Sequence, residues 1–223
     1  MIKIKWLGHA CFRISFDDIN YVIDPYEDNY VPGYKNIDTS ADEVFISHEH
    51  NDHAGVMTVR CTRRITQGVE TIKVSTFHDD KQGALRGENI VHIFEYQGKR
   101  IGHFGDIGHI LTEDQKAKIG NLDVAIIPVG GTYTVDAEKA KIISKQVCAK
   151  VIIPMHYRDN ELGFEELDTI DKFKNMFQNI KYSDNDEYIV EENPCYNIVI
   201  LKYERWAWLW LNKKFYQKLT ILY

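Results

Sequence analysis

The chain has 223 residues, of which 44% are apolar and 27% charged, a composition typical of a globular protein with a full core. Its 27 basic and 33 acidic residues give a net charge of −6, which disfavours a general nucleic-acid-binding surface and suits a small-molecule enzyme. The four cysteines are widely spaced without a C-x-x-C pair, so we expect no disulfide framework and a reduced, cytoplasmic setting.

The N-terminal segment predicts a strand rather than a signal peptide. Ile2, Ile4 and Trp6 alternate with two lysines, which is the period of a half-exposed strand. A signal peptide would need a longer apolar run at this point. No other segment has enough consecutive apolar residues to predict a transmembrane helix.

Along the rest of the chain, short β-branched and aromatic runs alternate with helical segments, which predicts an α/β fold. Residues 26–40 predict a loop that is long enough to border a pocket. Thr112 and Asp136 are predicted helix N-caps. The predicted strands are 2–6, 11–16, 21–23, 44–47, 58–59, 71–77, 89–96, 99–104, 123–128, 150–154 and 196–203. The predicted helices are 112–119, 136–147 and 167–178.

A cluster of metal-binding side chains follows the predicted strand 44–47. It contains His48, His50, Asp52 and His53, and imidazole and carboxylate are ligand types that suit zinc, manganese or iron. A tight turn after the strand lets the first two histidines point one way, while the aspartate and the third histidine point at a neighbouring position. The cluster therefore predicts two adjacent half-sites, and the alternative is a polar loop that happens to be rich in histidine.

Further reactive side chains follow other predicted strands, at the strand ends where the sites of α/β proteins collect. They are His78, Asp106 and His156. Each has an ordinary alternative, as a surface histidine, a turn aspartate and a core histidine respectively. His92 and His103 lie within the hairpin strands, and we expect both to be structural.

The H-x-H-x-D-H pattern at residues 48–53 resembles the metallo-β-lactamase superfamily. The segments Trp6-Leu7-Gly8-His9 and Ile23-Asp24-Pro25 resemble the opening signature of its Zn-dependent hydrolase branch. The resemblance extends from about Lys3 to about Tyr203, so residues 1–203 would form one hydrolase domain. It implies a four-layer αββα sandwich, in which two mixed sheets face each other and the helices lie outside.

The resemblance also implies a complete ligand set for two divalent metal ions, zinc first, with manganese or iron as alternatives. It assigns a bridging role to Asp106, and it makes Asp52 and Asp106 the expected catalytic residues. The implied ligands are His48, His50 and His78 for one ion, and Asp52, His53 and His156 for the other.

A second group of residues is expected to contact a metal ligand or the substrate. His9 lies either near the metal site or in a simple turn, and Asp24 either accepts a hydrogen bond from a ligand histidine or caps the next turn. The backbone amides of Gly130 and Gly131, on the same side as residues 86–89, either approach an anionic substrate group or only form turns. His109 is expected to contact a ligand or the substrate.

The implied activity is hydrolysis by a hydroxide shared between two ions about 3.5–4 Å apart. The substrate would be a small ester, lactone, amide or phosphorylated metabolite, and the ascorbate-phosphate lactonase in the family suggests a sugar-acid lactone. One alternative is a phosphodiesterase acting on nucleic acid or phospholipid, although the acidic charge counts against a nuclease. A second alternative is a di-iron redox protein, although the chain has no room for the usual flavin-binding domain.

Residues 204–223 form a Trp-rich extension beyond the resemblance. Trp206, Trp208 and Trp210 lie in an apolar run that is too short to span a bilayer. We expect this extension to pack on its own domain or on a second subunit of a homo-oligomer, because such a segment should not stay exposed. Contact with a membrane surface is a lesser option, and an irregular tail is the alternative.

Overall fold

The computed structural model describes residues 1–62 and 68–203, in which two β-sheets and short helices position the predicted ligands. The expectation for residues 204–223 lies outside the described residues. The strands are β1 (Ile2–Gly8), β2 (Cys11–Phe16), β3 (Ile19–Ile23), β4 (Thr39–Ala41), β5 (Glu43–Phe45), β6 (Val59–Cys61), β7 (Glu70–Phe77), β8 (Glu88–Tyr96), β9 (Lys99–His103), β10 (Val124–Pro128), β11 (Val151–Met155), β12 (Ile180–Tyr182), β13 (Glu187–Ile189) and β14 (Ile198–Ile200). The helices are α1 (Glu113–Ile119), α2 (Ala137–Gln146) and α3 (Asp171–Lys174).

Both main sheets contain parallel and antiparallel pairs, while β4 and β6 form a separate two-stranded parallel sheet. The smaller sheet has the order β13-β1-β2-β3-β5, and only its β3–β5 pair is parallel. The larger sheet has the order β12-β14-β11-β10-β9-β8-β7, and it is parallel from β9 to β12 and antiparallel at β7–β8 and β8–β9. Strands β4, β12 and β13 were not predicted, because three residues are too short to show an alternating pattern.

An apolar layer of aromatic rings separates the two sheets. Phe94 on β8 contacts Phe16, Tyr21 and Phe45 of the smaller sheet, with ring centroids 6.1, 5.6 and 5.2 Å apart. All four side chains are buried. Helices α1 and α2 contact the larger sheet at β7 and β10. No helix among the described residues is long and apolar enough to cross a membrane.

The first two helices begin at the predicted N-caps. Thr112 accepts a hydrogen bond from the backbone amide of Gln115, whose side chain accepts one from the amide of Thr112, and together they form a capping box. The side chain of Asp136 accepts a hydrogen bond from the amide of Lys139 and starts α2. These local signals explain why the sequence located both helices.

Three predicted elements are shorter in the structure. The predicted helix 167–178 is wrong over most of its length, because Asp168 donates its backbone N–H to Gly130 and accepts one from Arg158. These bonds hold the chain beside β10 and leave only α3 as helix. The predicted strand 196–203 is reduced to β14. The strand predicted to reach Ser47 ends at β5, because Ser47 donates its N–H to the carboxylate of Asp24 instead of to a strand.

The strands that lead to the predicted ligands run in the same direction within each sheet. In the smaller sheet, β1, β3 and β5 are co-directional because β2 is antiparallel to both β1 and β3. In the larger sheet, β7, β9, β10 and β11 are co-directional for the same reason. Side chains from both sets of carboxyl ends contact each other, so the ends meet at one edge of the sandwich.

Candidate metal centre

The seven side chains predicted as metal ligands meet at this edge. They follow β5, β7, β9 and β11, and most of them are buried. The structure arranges their donor atoms in groups whose members all lie within 4.8 Å of one another. One group is His48, His50 and His78, a second is His9, Asp52, His53 and His156, and a third is His48, His53 and Asp106.

Asp106 lies between the two half-sites. Its Oδ2 is 3.2 Å from Nε2 of His53, 3.2 Å from Nε2 of His156 and 3.3 Å from Nε2 of His78. Two ligand atoms on one tetrahedral zinc ion, each about 2.0–2.1 Å from the metal, would be about 3.3 Å apart. The carboxylate therefore has the spacing expected of a ligand shared by ions on either side.

A one-turn loop holds the histidine cluster. The amides of His53 and Ala54 both donate to the carbonyl of His50, at 2.8 Å. At Gly55 this loop packs against the residues that follow β3, and an added Cβ on Gly55 would lie 2.4 Å from the backbone of Tyr26. Only glycine fits this approach, and the close contact fixes the turn that points the histidines inward.

Asp24 and Ser47 orient two of the histidines. Oδ2 of Asp24 is 2.9 Å from Nδ1 of His53 and accepts a hydrogen bond from the Ser47 hydroxyl at 2.7 Å. Because that hydroxyl proton is directed at Asp24, Ser47 Oγ accepts from Nδ1 of His48, 2.9 Å away. Both histidines thus direct Nε2 towards the centre, where Nε2 of His48 lies 3.0 Å from Nδ1 of His50. The contact between Asp24 and His53 matches one of the two alternatives for Asp24, whereas the part played by Ser47 was not predicted.

Asn89 fixes the position of Asp106 and was also missed from the sequence. Its side-chain oxygen accepts the backbone N–H of Asp106 at 2.8 Å, and its side-chain nitrogen donates to Thr76 and to the carbonyl of Phe104. A Cβ at Gly105 would lie 2.4 Å from that same oxygen. An amide at the start of a strand carries no local signal for this contact.

His9 lies beside the second half-site. Its Nε2 is 3.3 Å from Oδ2 of Asp52, and its ring centroid is 4.0 Å from that of His156. Burial and the nearby His156 lower the pKa of His9 to about 4, so it is neutral at pH 7. His9, Asp24 and His156 each follow a strand with a left-handed backbone, at φ of 51°, 49° and 52°.

The charges in the centre are strongly coupled. Burial opposes ionisation of Asp106, but His156 and His53 outweigh it and hold the pKa of Asp106 well below its usual range. Burial likewise opposes charge on His156, yet Asp106 raises the pKa of this histidine to about 9. Burial and His53 lower the pKa of His48 to about 3. The carboxylate is thus ionised and able to bind cations.

Several buried atoms that could bind a metal ion lie close to one another in the centre but form no hydrogen bond within the described part of the chain. They include both carboxylate oxygens of Asp106 and the Nε2 atoms of His53 and His156. Buried polar atoms without partners are costly, and bound cations would satisfy all four. The residues present therefore fit divalent metal ions.

Three predicted contact residues have other surroundings. His109 accepts the amide N–H of Phe77 and donates to the carbonyl of Ile110, so both of its ring nitrogens are used away from the cluster. A Cβ at Gly130 would lie 2.1 Å from the carbonyl oxygen of His156, so this glycine permits close backbone packing. Gly131, at φ of 61°, lines a smaller adjoining pocket, but its amide donates to the carbonyl of Val135 at 3.3 Å.

The imidazoles of the two hairpin histidines each contact a backbone carbonyl next to a strand of the smaller sheet. Nε2 of His92 is 2.8 Å from the carbonyl of Ile46, and Nε2 of His103 is 2.9 Å from the carbonyl of Ala10. Both imidazoles tie the larger sheet to the smaller one, which fits the expected structural role.

A pocket of about 490 Å³ opens above the cluster. His50, Asp52, His78 and Asp106 line its metal-facing side. The remaining wall is half aromatic and half charged or polar, with Tyr30, Tyr133 and Phe164 beside Glu49, Asn51 and Arg86. The predicted loop at residues 26–40 thus borders the pocket through Tyr30.

The family model described as "Beta-lactamase superfamily domain" matches residues 3–156, more than half of the chain. The chain belongs to the metallo-β-lactamase superfamily. Two relatives in this superfamily are named UPF0173 metal-dependent hydrolases. The one from Hyperthermus butylicus is 31% identical over 198 residues, which cover 69% of this chain and 82% of the relative. The one from Alkaliphilus metalliredigens is 30% identical over 194 residues, which cover 70% and 85%.

Solved structures of the superfamily agree with the fold. A protein from Thermotoga maritima, assigned to the Zn-dependent hydrolases of the superfamily, is 36% identical, with a TM-score of 0.73 over 92% of this chain and 100% of that protein. The metallo hydrolase Igni18 from Ignicoccus hospitalis is 20% identical, with a TM-score of 0.59 over 78% and 89%, and shows the fold alone. The expected metallo-β-lactamase sandwich is confirmed, and the protein is a metal-dependent hydrolase.

Proposed function

We propose that the protein hydrolyses a small-molecule ester or lactone with two divalent metal ions, preferably zinc. The position of Asp106 carries this proposal, because one carboxylate oxygen lies 3.2–3.3 Å from imidazole nitrogens that belong to both half-sites. That arrangement suits a pair of ions close enough to act on one substrate group.

The chain's own residues hold and orient the reacting groups. His48, His50 and His78 would bind one ion, with Asp106 shared. Asp52, His53 and His156 would bind the other. Bound divalent ions would supply a nucleophile by lowering the pKa of water, and would polarise the substrate oxygen. Asp24 and Ser47 hold two of the imidazoles in the required orientation through the hydrogen bonds described above.

Two observations support zinc. Five histidines and two aspartates form a nitrogen-rich donor set, and zinc binds such sets readily. The 36% identical protein from Thermotoga maritima is assigned to the Zn-dependent hydrolases. Manganese and iron accept similar ligands, so metal analysis is part of the test.

The pocket supports a small substrate. Its volume of about 490 Å³ lies within the range of small-molecule sites, roughly 300–1,000 Å³. The aromatic side chains of Tyr30, Tyr133 and Phe164 offer apolar contacts to the part of the substrate that does not react. The net charge of −6 disfavours a polyanion such as nucleic acid.

The test combines metal analysis with a substrate panel. Purified protein is analysed for metals, loaded with zinc, manganese or iron, and assayed on aryl esters, lactones and aryl phosphodiesters. We expect about two ions per chain and hydrolysis of an ester or lactone, both lost in Asp106→Asn. Asp38→Asn, at an exposed ion pair with Arg60, is the matched control and should retain both. One ion per chain, or hydrolysis of phosphodiesters alone, would contradict the proposal.

A further inference from the structure

A smaller pocket of about 250 Å³ adjoins the candidate metal centre. His78, Arg86 and Tyr133 line both this pocket and the larger one. The wall that is not shared includes Lys139 near the start of α2. A substrate whose reacting group lies at the metal ligands therefore has room to extend past Arg86.

The acidic side chains of the smaller pocket already have partners. The carboxylate of Asp79 accepts four backbone N–H groups, at 2.7–2.9 Å, from Lys81, Gly83, Leu85 and Arg86. Asp136 caps α2 through the amide of Lys139. Asp80, which also lines the pocket, lies 3.5 Å from the ammonium group of Lys81.

The two cationic side chains of the pocket are not neutralised in this way. Among the described residues, no carboxylate lies within ion-pair distance of Arg86 or Lys139. One nitrogen of the Arg86 guanidinium donates to the carbonyl of Thr132 at 3.3 Å, and the group lies 5.7 Å from the ring centroid of Tyr133. These contacts hold the guanidinium at the junction of the two pockets and leave its other N–H donors free.

The hydrogen bonds of Asp79 place Arg86 at this junction. The backbone N–H of Arg86 donates to the Asp79 carboxylate at 2.7 Å, so the chain from 79 to 86 wraps around one buried anion. Asp79 directly follows the predicted ligand His78. The same short segment thus carries a metal ligand at one end and the guanidinium at the other.

We propose that Arg86 and Lys139 bind an anionic substituent of the substrate, a phosphate monoester group in particular, while the bond to be hydrolysed lies in the larger pocket. This proposal rests on the proposed function. A planar guanidinium binds phosphate or carboxylate oxygens through paired hydrogen bonds. A second cation favours the dianionic phosphate over the singly charged carboxylate.

The proposal is tested by isothermal titration calorimetry on the zinc-loaded protein. The affinity is measured for phenylphosphonate, a stable phosphate ester analogue, and for benzoate, its carboxylate counterpart. We expect phenylphosphonate to bind more tightly than benzoate, and Arg86→Gln and Lys139→Gln each to weaken it by about tenfold or more. Arg86→Lys should recover part of the affinity. Lys116→Gln removes the same charge from an exposed pair with Glu113, outside both pockets, and should bind like the unmodified protein.

Two results would overturn the proposal. Unchanged phenylphosphonate affinity in both Arg86→Gln and Lys139→Gln would mean that the anion binds only at the metal ions. Equal affinity for benzoate would mean that the pocket does not select a phosphate. The binding readout is separate from hydrolysis, so zinc-loaded protein that binds phenylphosphonate through Arg86 but cleaves no ester or lactone contradicts the proposed function and leaves the anion site supported.

Discussion

Nδ1 of His53 lies 2.9 Å from the carboxylate of Asp24, and both side chains are fully buried. Asp24 also bonds to Ser47, which in turn bonds to His48, so one carboxylate controls the orientation of two predicted ligands that belong to different half-sites. Asp24 follows β3 and the histidines follow β5. Because these two strands pair in parallel, the carboxylate lies next to the histidines.

Asp24→Asn should weaken metal binding by about 10–100-fold, because an amide does not orient the imidazole of His53 as a carboxylate does. A zinc competition titration with a chromophoric chelator measures the change. Ser47→Ala, which leaves the bond between Asp24 and His53 in place, should have a smaller effect. Equal zinc affinity in Asp24→Asn and the unmodified protein would show that the carboxylate does not position the ligands.

His50→Ala should abolish hydrolysis and reduce the metal content, with little change in far-ultraviolet circular dichroism. His50 is exposed, and its ring contacts His48 and His78 of the cluster, so its removal should affect metal binding and leave the apolar core packing unchanged. His92→Gln is the comparison, because His92 bonds to the carbonyl of Ile46 and not to the cluster. This variant should keep its metal ions and lose some thermal stability. If it lost activity as completely as His50→Ala, its structural role would be refuted.

Asp79→Asn should loosen residues 79–86, because an amide cannot accept the four backbone N–H groups that now bond to the carboxylate. Amide hydrogen exchange in this segment should accelerate, and phenylphosphonate affinity should fall along with it. Asp80→Asn changes the exposed neighbour, which accepts none of these four bonds, and should leave the exchange unaltered. Unchanged exchange in Asp79→Asn would rule out this role for its carboxylate.

The stability contributed by Asp123 should depend on pH. Burial raises the pKa of Asp123, but Lys150, at 2.8 Å, and the amide of Arg100 outweigh burial and lower it below 3.8. A carboxyl group whose pKa is lower in the folded state than in the unfolded state stabilises the fold at pH values above the unfolded pKa. This stability is lost as the pH falls through the folded pKa. Asp123→Asn should therefore lower Tm by about 2–4 °C at pH 7, or about 1 kcal/mol. The difference should shrink below pH 3.8, and a constant difference across this range would contradict the assignment.

The sequence located the seven side chains that meet at the candidate centre because they follow predicted strands and four of them lie within six residues. Ser47 and Asn89 were missed because their partners lie far along the chain, on other strands. The predicted helix 167–178 failed for a similar reason, since the long-range bond from Asp168 to Gly130 outweighs local helix propensity. Contacts across the fold decide these features, and short sequence patterns do not record them.

The left-handed backbone at His9, Asp24 and His156 has a consequence for how the protein can change over evolution. A residue with a Cβ in this conformation destabilises the native state by about 1–2 kcal/mol relative to the ordinary helical region. Glycine at any of the three positions would relieve that strain but would remove an imidazole or a carboxylate from the centre. Selection for the centre therefore keeps three residues in a backbone conformation that selection for local backbone stability alone would give to glycine.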